Sequence, residues 1–302
     1  MPVVKSDIPQ LLLSGLKGVF FDAYESTIGD WEKIATIIPS EHDTEQYAWL
    51  GSTPRMREFT DERLPAGLLE HDYSIKNKTW EASISVDRAA LEDDQYGQIR
   101  IRTQQLGAEA RWHQDQIVFE MLDRGFGTAD TCHDGQYFFD SDHSEGASGT
   151  QSNKGTSALD STTLQAAITA MSKFVDDKGK PLGVIPDTLV VPPDLKWTAM
   201  ELLKSGYNVD GTANNPGKIN VLQGALDLVV SPYLTNTTNW FVFCTKRIVK
   251  PIIFQSRIPV DFQALEANSE TGFMRDMYVY GVRARYNVGF GLWQFAYGAH
   301  VT

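Results

Sequence analysis

The residues best suited to chemistry lie in one short stretch near the middle of the chain. They are Cys132, His133, Asp134, Asp140, Asp142 and His143. Thiolate, imidazole and carboxylate groups are the ligands that zinc accepts in a tetrahedral site. The spacing matches none of the standard zinc patterns, however, and the aromatic segment Tyr137–Phe139 separates the two halves. We therefore interpret the stretch as a structural turn and expect no metal and no cofactor; a metal-dependent hydrolase using Cys132, His133 and His143 is the alternative.

The other residues that could do chemistry also indicate a structural role. Adjacent carboxylates such as Asp93/Asp94 and Asp176/Asp177 fall at predicted helix ends or loops, where capping or solvated acids are common. The sequence contains no Gly-x-Ser-x-Gly elbow, no Walker loop and no Gly-x-Gly-x-x-Gly fingerprint. Arg283 and Arg285 share one face of a predicted strand with Asn287, which we interpret as a partner-facing ion-pair edge rather than a phosphate site. We expect no enzyme.

The charge of the chain is acidic and unevenly distributed. Among 302 residues, 27 Lys and Arg face 39 Asp and Glu, for a net charge of −12. Such a negative net charge argues against electrostatic binding to nucleic acid or to an anionic membrane. Residues 1–130 carry 13 basic and 23 acidic side chains, so most of the excess negative charge lies in this part. Cys132 and Cys244 are far apart and form no disulfide framework, which is compatible with an intracellular chain.

The first 92 residues predict a helix followed by an excursion. Residues 1–21 have the apolar spacing of an amphipathic helix, with Leu16 and Phe20 on its buried side. The segment Tyr47–Gly51 opens a polar excursion, and Thr79–Val86 closes it with the alternation of a half-buried strand. We interpret 45–92 as a two-stranded ribbon. Because an isolated ribbon is marginal in water, it needs a partner surface.

A helix of about 30 residues is predicted next. It starts after the acidic residues Glu92–Asp94 and ends at Gly125, and Ile99, Leu106 and Met121 lie on its apolar stripe. Its length is several times that of a usual globular helix. Beyond it we expect mixed elements and an α+β fold, with the C-terminal strand pairing over long range with the block that contains this helix. The later elements are a helix capped by Asp160, a strand at Thr188–Val191, a helix at Asp194–Ser205, a loop at 207–220 and strands at 226–230, 240–244 and Tyr278–Val288.

Segments distributed over most of the chain carry a resemblance to a known family. They are Tyr47–Gly51, Arg63 with Tyr73–Lys78, Glu81, Arg88, Glu92–Asp94, Asp134–Asp140 with His143, Val190–Pro193, and Asn220 with Val230–Leu234. In their order and spacing, the sequence resembles the gpT-type major head subunit of Mu-like phages and prophages. The resemblance implies the Hong Kong 97 type of phage capsid fold.

The resemblance also implies a division of the chain. The expected parts are an N-terminal arm at 1–44, an extended loop at 45–92, a peripheral domain at 93–160 and 241–302 that includes a spine helix at 93–126, and an axial domain at 161–240. The extended loop would reach onto a neighbouring subunit, and the loop at 207–220 would point at the hexamer or pentamer axis. Expected contacts between subunits are Trp49, Arg63, Tyr73, Lys78, Glu81, Arg88, Asn215 and Lys218.

The function implied is structural. Many copies would build an icosahedral shell around packaged double-stranded DNA, which the shell encloses without sequence-specific binding and without a membrane. Portal and decoration proteins are expected partners, together with a separate scaffold protein unless a scaffold segment has already been removed. The chain would assemble in the host cytoplasm and end in the virion capsid. Covalent cross-linking through Lys76 or Lys78 is not expected, and an encapsulin-like compartment that encloses cargo enzymes is the other alternative.

Overall fold

The computed structural model describes residues 8–50, 73–87, 96–127, 130–208, 218–265 and 274–301. The helices are α1 (Ile8–Ser26), α2 (Trp31–Ile34), α3 (Tyr96–Arg124), α4 (Ser161–Ser172) and α5 (Lys196–Lys204), with 3-10 turns at Pro193–Leu195 and Trp293–Phe295. The strands are β1 (Ala35–Pro39), β2 (Thr44–Gln46), β3 (Ser74–Lys76), β4 (Lys78–Asp87), β5 (Lys154–Gly155), β6 (Thr188–Val191), β7 (Tyr207–Asn208), β8 (Lys218–Ile219), β9 (Asp227–Val230), β10 (Trp240–Phe243), β11 (Ile252–Leu265), β12 (Met277–Phe290) and β13 (Ala296–Ala299). Within these ranges no helix is long and apolar enough to span a bilayer.

The long helix is present as predicted. Helix α3 has 29 residues, which at about 1.5 Å per residue is roughly 43 Å. Ile99, Leu106 and Met121 of the predicted stripe are buried. The helix ends where Gly125 donates its backbone N–H to the carbonyl groups of Met121 and Leu122. The apolar period of the sequence therefore located both the helix and its buried side.

Helix α3 packs between α1 and a four-stranded sheet of order β1-β11-β12-β4. Leu16 and Phe20 of α1 are fully buried, in agreement with the predicted amphipathic helix. On the sheet side, the Trp80 ring lies 4.4 Å from the His113 ring, measured between centroids. His113 Nδ1 is hydrogen-bonded to Tyr286 Oη at 2.8 Å. Apolar and aromatic contacts on both sides thus hold the helix in place.

The pairing of the 45–92 segment differs from the prediction. In the described part of this region, β2 and β3 form a two-stranded ribbon that is three residues long on each side. Strand β4 has the predicted alternation, but it pairs with β12 and not with Tyr47–Leu50. The expected pairing of the C-terminal strand with the long-helix block is also wrong, because β12 lies between β11 and β4. The partner surface that β4 needed is therefore supplied by its own chain.

A second sheet, of order β5-β13-β10-β6-β9, builds the larger core. Strands β6 and β10 are buried along their whole length. Helix α4 begins with Asp160 as predicted: its carboxylate accepts the backbone N–H groups of Thr162 and Thr163 at 2.7 Å. The sheet joins strands from both sides of the expected boundary at residue 240. The division into peripheral and axial domains stays a prediction.

The contact between α1 and α3 can be tested at Gly107. A Cβ added there would lie 2.5 Å from the Phe20 carbonyl oxygen and 3.2 Å from the Ala23 Cβ. We expect Gly107→Ala to force the helices apart and to destabilise the unassembled subunit by about 1–3 kcal/mol. The measurement is the free energy of unfolding in denaturant.

Gly97→Ala, in the same helix, is the matched control, because a Cβ at Gly97 would meet no atom of another described element within 4 Å. Alanine should there leave stability unchanged or raise it by up to about 1 kcal/mol. Equal stability of the two variants would contradict the close helix contact.

Candidate assembly surfaces

The segments on either side of residues 51–72 are fixed to the sheet by buried hydrogen bonds. Tyr47 Oη donates to Gln255 Oε1 at 2.8 Å, and Gln255 Nε2 donates to the Ile75 carbonyl at 3.1 Å. The Phe290 backbone N–H donates to Tyr73 Oη at 2.7 Å. Burial raises the pKa of both tyrosines above the usual range, so both stay neutral donors and acceptors. Tyr47 and Tyr73 are thus held in place by the rest of the subunit.

The residues expected to contact neighbouring subunits are only partly described. Those with described side chains are Trp49, Tyr73, Lys78 and Glu81; Arg63, Arg88 and Asn215 lie outside the described residues, as does the side chain of Lys218. Trp49 and Tyr73 pack against the small core at the ribbon base, whereas Lys78 and Glu81 are exposed on β4. Lys78 and Glu81 are therefore the described members of the set that remain accessible to a neighbour.

The face of the four-stranded sheet away from α3 is polar. Arg283 lies opposite Glu81 on one side and Asp261 on the other. Arg285 Nη2 bonds the carboxylate of Asp43 at 3.0 Å, and Asp43 is 60% exposed on its side chain. Arg285 is thus paired with an acid of its own chain and Arg283 lies beside two, which favours ion pairs over a phosphate site; that this edge faces a partner stays a prediction.

Exposed apolar side chains lie on α5 and on or beside the paired strands β7 and β8. They are between 65% and 76% exposed: Trp197, Tyr207, Ile219 and Val221. Soluble monomers seldom expose large apolar side chains together, and such groups commonly mark interaction sites. Our sequence analysis singled out Asn215 and Lys218 in this loop but missed the apolar side chains. The apolar residues Ile219 and Val221, which alternate directly after the Asn- and Gly-rich loop, were the pattern that could have indicated this exposed apolar group.

The candidate metal residues are partly brought together. Ligand atoms of Cys132, Asp134 and His143 lie within 4.8 Å of one another. His143 Nδ1 is 2.6 Å from one Asp134 oxygen, and Cys132 Sγ is 2.7 Å from the other. Ligands of one zinc ion, at about 2.0–2.3 Å from the metal, would be about 3.3 Å or more apart. The group as it stands is therefore a hydrogen-bonded network centred on Asp134.

The pKa values of Asp134 and Cys132 also favour a hydrogen-bonded network over a metal site. Burial alone would raise the pKa of Asp134, but the hydrogen bonds from His143 and Cys132 outweigh it and lower the pKa to about 2. Burial raises the pKa of the Cys132 thiol far above its usual range, which disfavours the thiolate that nucleophilic attack or zinc binding requires.

Two partners of His143 were absent from the sequence analysis. Asn153 Nδ2 donates to the carbonyl groups of Phe138 and Trp293, so its Oδ1 accepts from His143 Nε2 at 3.2 Å. The His143 ring also stacks on Trp293, with centroids 4.2 Å apart. Because Trp293 is 150 positions away, no local pattern indicated this contact.

The remaining candidates lie outside the network. His133 Nε2 is bonded to Glu145 and not to Asp134. Asp140 binds its neighbour's backbone N–H at Ser141, and Asp142 is exposed. The stretch therefore resolves into two buried His–carboxylate pairs, which hold the loop between residues 131 and 155 against the larger core.

The sequence matches a family model and known relatives along nearly its whole length. The family model of the Mu-like prophage major head subunit gpT matches residues 10–158, 152–234 and 235–302. The chain is 30% identical to the Mu-like prophage FluMu major head subunit of Haemophilus influenzae over 98% of its length and 74% of that protein. It is 26% identical to the major capsid protein of Escherichia phage Mu, with the same coverage of both chains.

A solved structure shares the architecture. The procapsid of bacteriophage JBD30 matches with a TM-score of 0.61 and 28% identity, over 99% of this chain and 77% of that one. The expected α+β fold of the Hong Kong 97 type is thereby confirmed. Because the family model matches nearly the whole described chain, this protein belongs to the family of Mu-like prophage major head subunits of the gpT type.

Proposed function

We propose that many copies of this chain assemble into the icosahedral shell of a phage head that encloses double-stranded DNA. The observation that carries the proposal is the nearly full-length membership in a family of major head subunits, on a capsid fold. The acidic net charge of −12 suits a container whose wall does not adhere to its DNA.

The chain is a structural protein and not an enzyme. Membership in a family of head subunits decides against the metal-dependent hydrolase and against the encapsulin-like compartment. The buried hydrogen bonds of Cys132 and His143 give a physical reason for the first of these outcomes, because they leave no free nucleophile or base in the group.

The parts of the subunit are assigned to roles as follows. Residues 1–44 form the arm, 45–92 the extended loop, 93–160 with 241–302 the peripheral domain, and 161–240 the axial domain. The extended loop would contact a neighbour through Trp49, Arg63, Tyr73, Lys78, Glu81 and Arg88, and the axial loop through Asn215 and Lys218. The exposed apolar surface on α5 and β7–β8 supports an axial contact, because burial between copies would remove it from water.

Other partners complete the proposed assembly. Hexamers and pentamers of this chain would form the shell with a separate scaffold protein, a portal and decoration proteins. Assembly would take place in the host cytoplasm, and the finished protein would belong to the virion. DNA would be enclosed without sequence-specific contacts.

The extended loop is tested by deletion of residues 58–72. We expect a soluble, folded subunit that forms no shells, because the contact with the neighbour is lost while its base stays anchored. Electron microscopy measures shell formation, and circular dichroism checks the fold. Normal shells from the deletion variant would contradict the proposal.

The proposed axial contact is tested with Trp197→Ala, alone and combined with Ile219→Ser. Since both side chains are exposed in the subunit, we expect an unchanged unfolding midpoint but fewer capsomers, at a cost of about 1–2 kcal/mol per contact. Sedimentation velocity measures the assembled fraction. Glu201→Gln, an exposed change on the same helix, is the control; equal assembly of all variants would count against the axial contact.

The charge of the extended loop is tested through ionic strength. Exposed charges act over about 8–10 Å at 0.10–0.15 M salt, so the rate of shell assembly should change as salt rises. Glu81→Gln should weaken this salt dependence, whereas Ser83→Ala, an exposed uncharged site two residues along β4, should not. Light scattering at several NaCl concentrations gives the rates. If the assembly rate of the unmodified protein does not change with NaCl concentration, the role of charge is refuted.

A further inference from the structure

Strand β4 forms one edge of the four-stranded sheet, and its outer side is open. Its ten residues pair with β12 in an antiparallel register that has no shift. Among the described residues, no other strand pairs with its opposite edge. The backbone N–H and C=O groups of such an edge are a template for pairing with another strand. The subunit therefore presents about 34 Å of sheet edge that a second chain can extend.

The other described sheet edges are short or blocked, which distinguishes the edge of β4. The edge strands β1, β5 and β9 have five, two and four residues. Strand β11 continues beyond β1, but this part contains Pro259, and its register with β12 shifts between Ser256 and Asp261. Short strands, prolines and bulges are the means by which proteins prevent pairing at sheet edges. Strand β4 has none of these three features.

The side chains of β4 form one exposed polar face and one apolar face that is only partly covered. The exposed polar side chains are those of Thr79, Glu81, Ser83, Ser85 and Asp87. The apolar side chains on the α3 side are those of Trp80, Ala82, Ile84 and Val86, of which Val86 alone is fully buried. A groove of about 150 Å³ remains on this side, lined in part by Trp80, Ala82 and Ala110. The apolar face of β4 is therefore not completed within the subunit.

The sequence of β4 is complementary to itself in an antiparallel pair. A twofold axis at Ser83 sets these residues of the two copies opposite each other: Glu81 and Ser85, Trp80 and Val86, Ala82 and Ile84. Opposite residues of an antiparallel pair lie on the same face of the sheet and interact. Polar side chains then meet polar ones, and the aromatic ring of Trp80 meets a β-branched side chain, which is a favourable cross-strand pair. A second copy of this strand is thus a fitting occupant of the open edge.

The neighbouring symmetric registers are less favourable. An axis at Ile84 sets Glu81 opposite Asp87 of the second copy, and like charges in opposite positions destabilise a sheet. An axis at Ala82 sets Lys78 opposite Val86 and so brings a charge against the apolar face. The register centred on Ser83 avoids both of these pairs.

We propose that two copies of this chain pair through β4, antiparallel and with Ser83 at the twofold axis. The two four-stranded sheets would then form one continuous sheet of eight strands. Ile84 of the second copy would lie beside Ala82, at the groove between β4 and α3. The same surface of both copies is used, so the contact closes on itself. The inference rests on the proposed self-association of the chain, for which it names one contact.

The register is tested by cross-linking full-length Ser83→Cys under mild oxidation. Opposite residues have Cα atoms about 4.5–5.5 Å apart, which a disulfide spans. We expect most of this variant to run as a covalent dimer on a non-reducing gel. Cys132 and Cys244 are buried, so the unmodified chain gives little background.

Ser85→Cys is the matched control on the same exposed face. Its two thiols would be four residues out of register, about 14 Å apart along the strands. We expect at least tenfold less dimer than for Ser83→Cys. Equal cross-linking of the two variants, or none in Ser83→Cys, would overturn the proposal.

Two charge variants test the contact without a covalent bond. Ser83→Glu places two carboxylates opposite each other and should weaken dimerisation at least tenfold by sedimentation equilibrium. Ser85→Lys places an ammonium group opposite Glu81 of the second copy and should leave dimerisation unchanged or tighter. Circular dichroism checks that both variants are folded. Equal dissociation constants for the two variants would count against the contact.

Electron microscopy of the same samples separates this contact from the proposed function. Shells formed by Ser83→Cys without cross-links would overturn the β4 contact and leave the proposed function intact. Cross-linked dimers of Ser83→Cys, together with an unmodified protein that forms no shells, would support the contact and contradict the proposed function.

Discussion

The two-sided pairing of strand β12 is the interaction on which the rest of the structure depends. Its 14 residues pair with β11 along one edge and with β4 along the other. Side chains alternate on it: Tyr280, Val282 and Ala284 face α3, while Arg283 and Arg285 face away. Shifting the register by one residue would exchange these faces and bury the arginines. The helix, the ribbon base and the polar face are therefore all positioned by this one strand.

Strand β12 also connects the separate cores of the subunit. Tyr280 and Val282 belong to the core under α1 and α3, whereas Val288 and Phe290 belong to the larger core with the second sheet. Phe290 in addition holds Tyr73 at the ribbon base through its backbone N–H. A shell subunit must keep its parts in fixed relation while its loops make the contacts with neighbours. Continuity of one strand through several cores provides that fixed relation.

Two groups of buried polar side chains lie in the loop between residues 131 and 155. The Asp134 network and the pair of His133 with Glu145 lie in this loop, and Asn153 and His143 connect it to Trp293 in the 3-10 turn Trp293–Phe295. In a small subunit, satisfied polar networks specify one arrangement of such loops where few apolar side chains are available. The residue types that suggest catalysis in the sequence thus serve to hold loops together in the folded chain.

Local patterns predicted the elements that local physics controls. The 29-residue helix followed from an apolar stripe, the start of α4 from the capping residue Asp160, and the alternation of β4 from its period of two. The Hong Kong 97 type of fold followed from the family resemblance and not from these patterns. The pairing of β4 was predicted wrongly, because either ribbon partner or sheet partner satisfies the same alternation.

The sequence by itself determined the long helix and its buried side, the capped start of α4, the alternation of β4, and an acidic net charge. It did not indicate the 14-residue strand β11. Only the tertiary structure decided that β4 joins β12, and that Asn153 and Trp293 hold His143. The physical reason is the range of the interactions. Periodicity and capping act within a few residues, whereas strand pairing and buried hydrogen bonds join positions up to about two hundred residues apart, and many partners are compatible with the same local pattern.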